Sequence, residues 1–307
     1  MSILKEAGIL RINGVEIEDT FAEAFTMWAV RLIVTADSPQ WALTAGQVTT
    51  GFATSIIGCS CEAGIERELS PAETPDGRPG VSLLLFTRPR ENVEPQLLLR
   101  VGQGVMTCAT TACFNGLQSD DRISIGGKLR YFGDGFQSSK QIAGSRFWRI
   151  PVMEGEFLVE DRFGVQKGVA GGNFLLLGEN HTATLSAAEA AVAAIRAMPG
   201  VVTPFPGGVV RSGSKAGSRY KFLRASTNDA YCPTLRGLVE SAVPERVNTV
   251  LEIVINGLSE DQVRAAMRAG IEAATASCHG SGLKRISAGN YGGRLGKRLI
   301  RLWELWP

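Results

Sequence analysis

Apolar residues in the first half of the chain alternate between strand-like runs and helical spacing. The Ser38-Pro39 pair is typical of a helix start, because serine caps the backbone and proline suits the first helical position. A turn-rich segment at 74–80 separates two of the strand-like runs. The predicted elements are, in order, a strand at 30–35, a helix from Ser38 to about 49, strands at 54–61 and 81–87, a helix through 97–108 and a strand at 129–132.

The second half of the chain repeats this order. Ser186 with Glu189, and Ser259 with Gln262, have the spacing of capping boxes, and each pair precedes an amphipathic run. The predicted elements are a strand at 173–177, a helix at 187–198, strands at 201–210 and 247–255, a helix from Ser259 with Val263, Met267 and Ile271 on one face, and a strand at 283–287.

Two successive β-α-β-β-α-β patterns predict an α+β protein. Each pattern is that of a ferredoxin-like lobe, an antiparallel sheet with helices on one face. Residues 145–172 are rich in glycine and turn formers, so we place the boundary near Pro151. The predicted domains are an N-terminal lobe at 1–150 and a C-terminal lobe at 151–307, and the second lobe carries most of the active site.

Composition narrows the classes of partner. The chain has 307 residues, and its 32 Lys and Arg against 30 Asp and Glu leave a net charge of +2. Such a balance gives no reason to expect a nucleic acid or a membrane surface as partner. The start of the chain, with Glu6 and Gly8, does not form the apolar core of a signal peptide. We therefore expect a cytoplasmic protein.

Common metal and nucleotide motifs are incomplete. The six cysteines form no C-x-x-C pair, and His181 and His279 are the two histidines, so we expect no metal site. Most of the cysteines are expected to be reduced core residues, and the six are Cys59, Cys61, Cys108, Cys113, Cys232 and Cys278. Residues 208–215 approach a phosphate-binding loop, but Ser214 stands where its lysine belongs. No strand carries the aromatic motif of RNA-recognition sheets.

Positive charge is concentrated in two stretches of the second half. The first contains Arg211, Lys215, Arg219, Lys221 and Arg224, and the second contains Lys284, Arg285, Arg294, Lys297, Arg298 and Arg301. A solvated surface is the simpler interpretation. A groove for a long ligand that carries phosphate or several carboxylates is the alternative.

Glycine-rich loops with polar residues recur near the ends of strands in the second half. They cover 168–173, 204–208, 225–233 and 287–293. Glycine allows a backbone to approach a ligand closely, although the same loops could be tight turns held by Asx hydrogen bonds. From loop position and strand alternation, the side chains predicted to bind substrate are Asn173, Lys215, Ser226, Thr227, Asn228, Asp229, Asn256 and Asn290.

One carboxylate interrupts an otherwise apolar strand. Glu252 lies within Val-Leu-Glu-Ile-Val-Ile-Asn-Gly-Leu at 250–258, on the strand face that also carries Val254 and Asn256. An unpaired ionised carboxyl is costly to bury, so such a group usually takes up a proton. The pattern allows either an edge-strand Glu252 that reaches solvent or an arginine, or a chemically active acid.

Several strings in this chain resemble those of the formylmethanofuran:tetrahydromethanopterin formyltransferases. They are NGVEIEDTFAEAF at 13–25, TPDGRPG at 74–80, GVAGGNF at 168–174, PFPGG at 204–208, ASTNDAYCPT at 225–234 and EIVING at 252–257. The resemblance covers the chain from about Ile12 to its end. It implies two similar α+β lobes, which agrees with the repeated pattern.

The resemblance implies formyl exchange between N5 of tetrahydromethanopterin, or its dephospho form, and the amine of methanofuran or an analogue. Both carriers would be co-substrates, with no permanently bound cofactor. Balanced charge and about ten residues before Ile12 favour the methylotrophic-bacterial branch, which oxidises formaldehyde to formate. Hydrolase subunits and other copies of the chain would be its partners. A non-catalytic scaffold subunit, or the same enzyme running in the CO2-reducing direction, is the alternative.

The resemblance also places the family's catalytic glutamate at Glu252. Formyl transfer between two nitrogens passes through a tetrahedral intermediate with a negatively charged oxygen, which a neutral carboxylic acid can stabilise. Cys232 is the competing candidate, because a thiol could carry the formyl group as a thioester. Nothing near Cys232 in sequence lowers its pKa, so we predict that Cys232 packs and that Glu252 is catalytic.

Overall fold

Residues 1–6, 8–142, 144–277 and 282–306 are described by a computed structural model. Cys278 and His279, considered above as metal ligands, lie outside the described residues. Contacts divide the chain into two compact units. The first unit consists of Met1–Thr26 and Val169–Pro307, and the second unit is Met27–Gly168.

The strands and helices account for most of both units. The strands are β1 (Ile3–Glu6), β2 (Ile9–Ile12), β3 (Val15–Ile17), β4 (Phe21–Thr35), β5 (Cys61–Leu69), β6 (Gly80–Thr87), β7 (Ala112–Asn115), β8 (Arg122–Ser124), β9 (Ser138–Ile142), β10 (Ser145–Val152), β11 (Gly155–Glu160), β12 (Arg162–Gly164), β13 (Gln166–Gly178), β14 (Val201–Val202), β15 (Lys215–Ala216), β16 (Ala225–Ser226), β17 (Thr249–Gly257), β18 (Leu283–Ser287) and β19 (Arg298–Arg301). The α-helices are α1 (Pro39–Thr50), α2 (Val93–Arg100), α3 (Gly126–Leu129), α4 (His181–Arg196) and α5 (Glu260–Ser277).

The second unit contains an antiparallel sheet in the order β7-β4-β6-β5. This order and its two helices are those of a ferredoxin-like sandwich. Alternate residues of β4, such as Leu32 and Val34, pack with Leu97 of α2 in one buried cluster. The π-helical turn Val101–Val105 extends α2, so the helix predicted through 97–108 is present as far as Val105 and residues 106–108 form a turn.

Three predictions for the second unit are wrong. The run at 54–61 is mostly turn, since Ser55 accepts backbone hydrogen bonds from Gly58 and Cys59, and the strand begins at Cys61. Residues 129–132 are helical, and the fourth strand is β7. The segment 145–172 carries the strands β10 to β13 instead of a turn-rich linker, because its glycines lie at hairpin corners and within strands.

The first unit contains the second ferredoxin-like sheet, in the order β18-β13-β17-β14. Strands β3, β2 and β1 extend it beyond β18. One face, with Phe174 and Ile253, packs against α4 and α5 in a buried cluster. Full burial of each such side chain stabilises the fold by roughly 1.5–3 kcal/mol. The predicted α+β class with two ferredoxin-like lobes is confirmed.

One helix start and one strand end in the first unit differ from prediction. Helix α4 begins at His181, because the side chain of Asn180 accepts the backbone N–H of Ala183; Ser186 lies inside the helix. The predicted strand at 201–210 ends at Val202, since Pro204 and Pro206 interrupt the ladder. The Ser259 cap is confirmed by the hydrogen bond from Gln262 N to Ser259 Oγ, and the strand at 283–287 is confirmed as β18.

The boundary between the compact units differs from the predicted division at residues 150 and 151. Two β-ladders account for the position of the N-terminal residues: β18 pairs with β3, and β19 pairs with residues 21–24 of β4. These ladders place the first 26 residues in the same compact unit as the C-terminal part of the chain.

The other face of the sheet in the first unit is covered by the long segment between β14 and β17. Leu175 and Leu177 of β13 form a buried cluster with Val243 and Val247 of this segment, and Tyr231 packs against it. Of the predicted active-site residues, Asn173, Glu252 and Asn256 lie on this second face, and those at 215 and 226–229 belong to the covering segment. Within the described residues, no helix is long and apolar enough to cross a membrane.

Candidate active site

Glu252 lies in the middle of β17 on the face away from the helices. Its direct neighbour across the ladder is Leu175, whose partner on the other side is Ser287. Directly opposite residues point to the same face, so these three side chains form one row. On its other edge, the backbone of Glu252 exchanges two hydrogen bonds with Val210, at 2.8 and 2.9 Å. The backbone of Glu252 is therefore held from both sides.

The carboxyl of Glu252 is partly buried, and in the described part of the chain it has no hydrogen bond or ion pair. Removal from water disfavours its charged form and raises its pKa from 4.5 to about 7. At neutral pH a large fraction of the group is therefore a neutral acid. Such a group can donate a hydrogen bond or a proton to a ligand oxygen.

Asn173 holds the backbone beside this carboxyl. Its side-chain amide donates to the carbonyl oxygens of Gly171 and Gly289, at 3.1 and 3.0 Å, and its Oδ1 accepts the Gly289 N–H at 2.6 Å. A Cβ at position 289 would lie 3.3 Å from Asn173 Oδ1 and 3.5 Å from Glu252 Oε1. Asn173 thus lies next to Glu252, as predicted, with both amide hydrogens used in protein contacts.

Asn256 occupies a more interior position on the same strand. It is fully buried, and its Oδ1 accepts the N–H of Gly171 at 3.0 Å. Gly171 has a φ of +86°, within the irregular register between β13 and β17. Asn256 therefore stabilises the bulge that precedes Asn173.

Glu23 holds the loop that follows β18. Its carboxylate is buried and accepts four backbone N–H groups, from Tyr291, Gly293, Leu295 and Gly296. Burial acts to raise the pKa of Glu23, but these four donors act in the opposite direction and the pKa is lowered. The anionic form of Glu23 is thus the one that the loop requires.

Asn290 joins this loop to β4. Its Nδ2 donates to Phe21 O at 3.2 Å and to Thr20 Oγ1 at 3.4 Å, and its Oδ1 accepts the N–H of Gly292 at 3.1 Å. The side chain is exposed, one residue after Gly289. Its contacts fix the loop, and its exposed position leaves it accessible to a ligand.

Tyr231 connects the covering segment to the Glu252 row. Its hydroxyl is 3.1 Å from Ser287 Oγ, and its ring packs against the Leu175 cluster. Burial raises the pKa of Tyr231, so the phenol is neutral at physiological pH. The contact fixes the turn Asp229–Tyr231 to the sheet face that carries Glu252.

Lys215, Ser226 and Asp229 form a second cluster on a short hairpin. Lys215 pairs with Ser226 across β15 and β16, and its Nζ lies 2.5 Å from Asp229 Oδ2. This hydrogen bond lowers the pKa of Asp229. Ser226 Oγ donates to Gly217 O at 2.8 Å. The ion pair is partly exposed, so its charged groups are accessible to solvent and to a ligand.

Thr227, Asn228 and Cys232 lie in the turn beside this hairpin. Thr227 Oγ1 is 3.4 Å from Cys232 Sγ, and the thiol donates to Asn228 O at 3.3 Å. Among the described residues, neither an imidazole nor an amine contacts Cys232. This environment does not activate a nucleophilic thiol.

The predicted residues therefore form two neighbouring groups. The first group lies around Glu252 and contains Asn173, Asn256 and Asn290. The second group lies on the covering segment and contains Lys215, Ser226, Thr227, Asn228 and Asp229. Sequence reasoning missed Glu23, Tyr231, Ser287 and Gly289 as individual contributors. Each lies within a string or loop already singled out, but the contacts join residues far apart in the chain. In the described residues, no group of three or more His, Cys, Asp or Glu could hold a metal ion.

Comparison with known proteins decides the family. Residues 10–152 match the family described as formylmethanofuran-tetrahydromethanopterin formyltransferase, and residues 155–305 match its proximal lobe. The chain belongs to this family. A formylmethanofuran--tetrahydromethanopterin formyltransferase of Methylococcus capsulatus is 58% identical over 294 residues, which cover 96% of this chain and 99% of that protein.

Two solved structures of the formyltransferase family agree over almost the whole chain. The formylmethanofuran:tetrahydromethanopterin formyltransferase of Methanosarcina barkeri matches with a TM-score of 0.91 and 52% identity, covering 96% of this chain and 100% of that chain. A chain of the formyltransferase/hydrolase complex of Methylorubrum extorquens, crystallised with methylofuran, matches with a TM-score of 0.94 and 52% identity. The match covers 97% of this chain and 99% of that chain. The family predicted from the sequence strings is confirmed.

Proposed function

We propose that this protein transfers a formyl group between N5 of tetrahydromethanopterin, or its dephospho form, and the amine of methanofuran or an analogue. Membership of the formyltransferase family supports the reaction. The observation that carries the chemistry is Glu252, an acid with a raised pKa and no partner among the described residues. Both carriers act as co-substrates, and the protein needs no permanent cofactor.

The reaction requires little covalent chemistry from the protein. The attacking amine nitrogen forms a bond to the formyl carbon, and the carbonyl electron pair moves to oxygen. Collapse of this tetrahedral intermediate breaks the bond to the other nitrogen, which takes up one proton while the attacking nitrogen releases one, so the exchange is balanced in protons. Positioning and oxyanion stabilisation therefore supply most of the rate enhancement.

Glu252 supplies the donor for the developing oxyanion. Its neutral form presents an O–H, and loss of one oxyanion donor typically costs about 3 kcal/mol in the barrier. The backbone hydrogen bonds to Val210 and the packing of Leu175 fix the strand from which the acid projects. Gly289 leaves space next to the carboxyl, because it has no Cβ there.

A direct assay tests this proposal. Purified protein mixed with formyl-tetrahydromethanopterin and methanofuran should exchange the formyl group, followed by pterin absorbance. Glu252→Ala should lower kcat by roughly 10²–10³-fold, and Cys232→Ala should retain activity. A protein without exchange activity would be a scaffold subunit, and loss of turnover in Cys232→Ala alone would favour a thioester route with ping-pong kinetics.

We further propose that the protein works in the oxidative, methylotrophic direction together with formylmethanofuran hydrolase subunits, as a homo-oligomer. The match to a chain of the M. extorquens formyltransferase/hydrolase complex supports this partnership. Isolation of the protein from its native cells should recover hydrolase subunits in fixed stoichiometry. Recovery of this chain alone would contradict the partnership. Equal flux in both directions in the assay would contradict the oxidative direction.

A further inference from the structure

A charged cavity lies on the same sheet face as Glu252, within the first unit. Its volume is about 540 Å³, and its wall includes Arg11, Glu16, Glu245, Arg246, Lys284 and Arg285. These residues come from β2, β3, β18 and the segment before β17. Only Lys284 and Arg285 belong to the basic stretches recognised in the sequence, because the other cations are distant in the chain.

The cavity wall has an excess of positive charge. Arg285 forms an ion pair with Glu16 at 2.9 Å, and Lys284 forms one with Glu179 at 2.9 Å. Arg11 and Arg246 have no ion pair in the part of the chain that the structure describes. The lining residues supply four cations and two carboxylates, Glu16 and Glu245, and Glu179 neutralises Lys284 from outside the wall, so the local excess is one positive charge.

Strand register connects this wall to the active site. Arg11, Glu16, Arg285 and Leu177 are successive direct partners across β2, β3, β18 and β13. The neighbouring row on the same face contains Ser287, Leu175 and Glu252. Two residues separate the rows along each strand, or roughly 7 Å. A ligand in the cavity would thus lie beside the row that carries the catalytic acid.

We propose that this cavity binds a phosphate or carboxylate group, held by Arg11, Arg246 and Arg285. Guanidinium groups bind both anions through paired N–H donors, and two of these three arginines have no acidic partner among the described residues. The anion is either a group on one of the one-carbon carriers or a separate molecule. The first case rests on the proposed formyl transfer and would anchor the far end of that substrate.

Calorimetric titration with inorganic pyrophosphate and with citrate, at low ionic strength, tests the site on the full-length protein. We expect saturable binding of at least one probe at one site per chain. Arg11→Gln combined with Arg246→Gln should weaken it roughly tenfold or more. Arg88→Gln combined with Arg196→Gln is the matched control, since both arginines are exposed, lie outside the cavity and remove the same charge.

Absence of saturable binding, or equal weakening in the control variant, would overturn the proposal. Both replaced arginines are exposed, so the fold is expected to persist, and the single variants should each weaken binding partially. If the double variant raises the KM for one carrier and leaves kcat unchanged, the anion is a group on that carrier. Unchanged KM values with weakened probe binding assign it to a separate anion. Failure of formyl transfer with intact probe binding would instead refute the proposed function.

Discussion

The side-chain amide of Asn173 exchanges two hydrogen bonds with the backbone of Gly289, a residue 116 positions further along the chain. This pair of contacts fixes the loop after β18 next to the carboxyl of Glu252. Asn173 was predicted to bind substrate, and no observation tests that role. Its contacts indicate a positioning residue, which acts on the reaction through the geometry of Gly289 and Glu252.

Asn173→Asp tests this positioning. The aspartate cannot donate to the carbonyl oxygens of Gly171 and Gly289, so the loop should shift away from Glu252. We expect kcat to fall roughly 10²-fold, since a displacement of about 1 Å has that effect in other enzymes. Asn115→Asp is a control, because Asn115 makes a similar contact with Leu117 in the second unit. It should lower Tm and leave kcat unchanged; equal kcat values in both variants would contradict the positioning role.

Gly289→Ala tests the space beside the acid. The new methyl group would lie 3.3 Å from Asn173 Oδ1 and 3.5 Å from Glu252 Oε1, so it would crowd the volume where the formyl oxygen must bind. Steady-state kinetics should show a lower kcat/KM with nearly unchanged Tm. Gly58→Ala is the control, since a Cβ there meets no atom within 4 Å. Full activity of Gly289→Ala would show that the substrate does not occupy this space.

Glu23→Gln should loosen the loop at 291–296. The amide would place its NH2 group against backbone N–H donors, and a buried unsatisfied donor costs about 1–3 kcal/mol. We expect a lower Tm and a raised KM, with Glu68→Gln, an exposed strand glutamate, as control. A kinetic profile of Glu23→Gln identical to that of the control would exclude the loop from substrate binding.

Glu23 also predicts a pH dependence of stability. Its pKa is lowered in the folded protein, so its contribution is present above the ordinary value of 4.5 and is lost as pH falls through the lower folded pKa. Thermal melts of wild type and Glu23→Gln between pH 3 and pH 7 should therefore converge toward the acid end. A difference in Tm that stays constant over this range would contradict the linkage.

Glu252 predicts the opposite dependence. Its folded pKa of about 7 exceeds the ordinary 4.5, so the folded state binds this proton more tightly than the unfolded state does. Stability therefore decreases as pH rises from about 4.5 through 7, by up to roughly 3 kcal/mol. Glu252→Gln should raise Tm at pH 8 and change it little at pH 4.5. An unchanged Tm at pH 8 would mean that the carboxyl is well solvated.

A structural element could be predicted from the sequence when the interactions that form it join residues close together in the chain. The chain order of strands and helices in the second half and the start of α5 followed from local patterns, since alternation and the Ser259 cap act over a few residues. Strand β7 was not predicted, because its four residues are too few to show a clear pattern. Its burial comes from strands far away in the chain, β4 and β11. The helix start at Asn180 was missed for a different reason, since two capping signals compete within six residues.

The residues of the candidate site likewise divide into those that a local sequence pattern indicates and those that only tertiary contacts reveal. Glu252 stood out because a charge within a buried strand violates a local rule. The carboxylate of Glu23, by contrast, follows β-strand alternation without conflict, and only the tertiary structure shows its four donors from residues 291–296. The cations of the cavity wall were dispersed among separate segments, so charge clusters along the sequence did not identify them together.

The pH dependence of the single-turnover rate tests the central claim most directly. With saturating carriers, the rate of wild-type protein should fall as pH rises through about 7, because the ionised Glu252 cannot donate to the formyl oxygen. Glu252→Gln keeps a neutral donor but has no proton to lose, so its lower rate should show no such fall. A wild-type rate that increases as Glu252 ionises, or a Glu252→Gln profile identical to that of wild type, would contradict the assignment of Glu252 as the neutral acid.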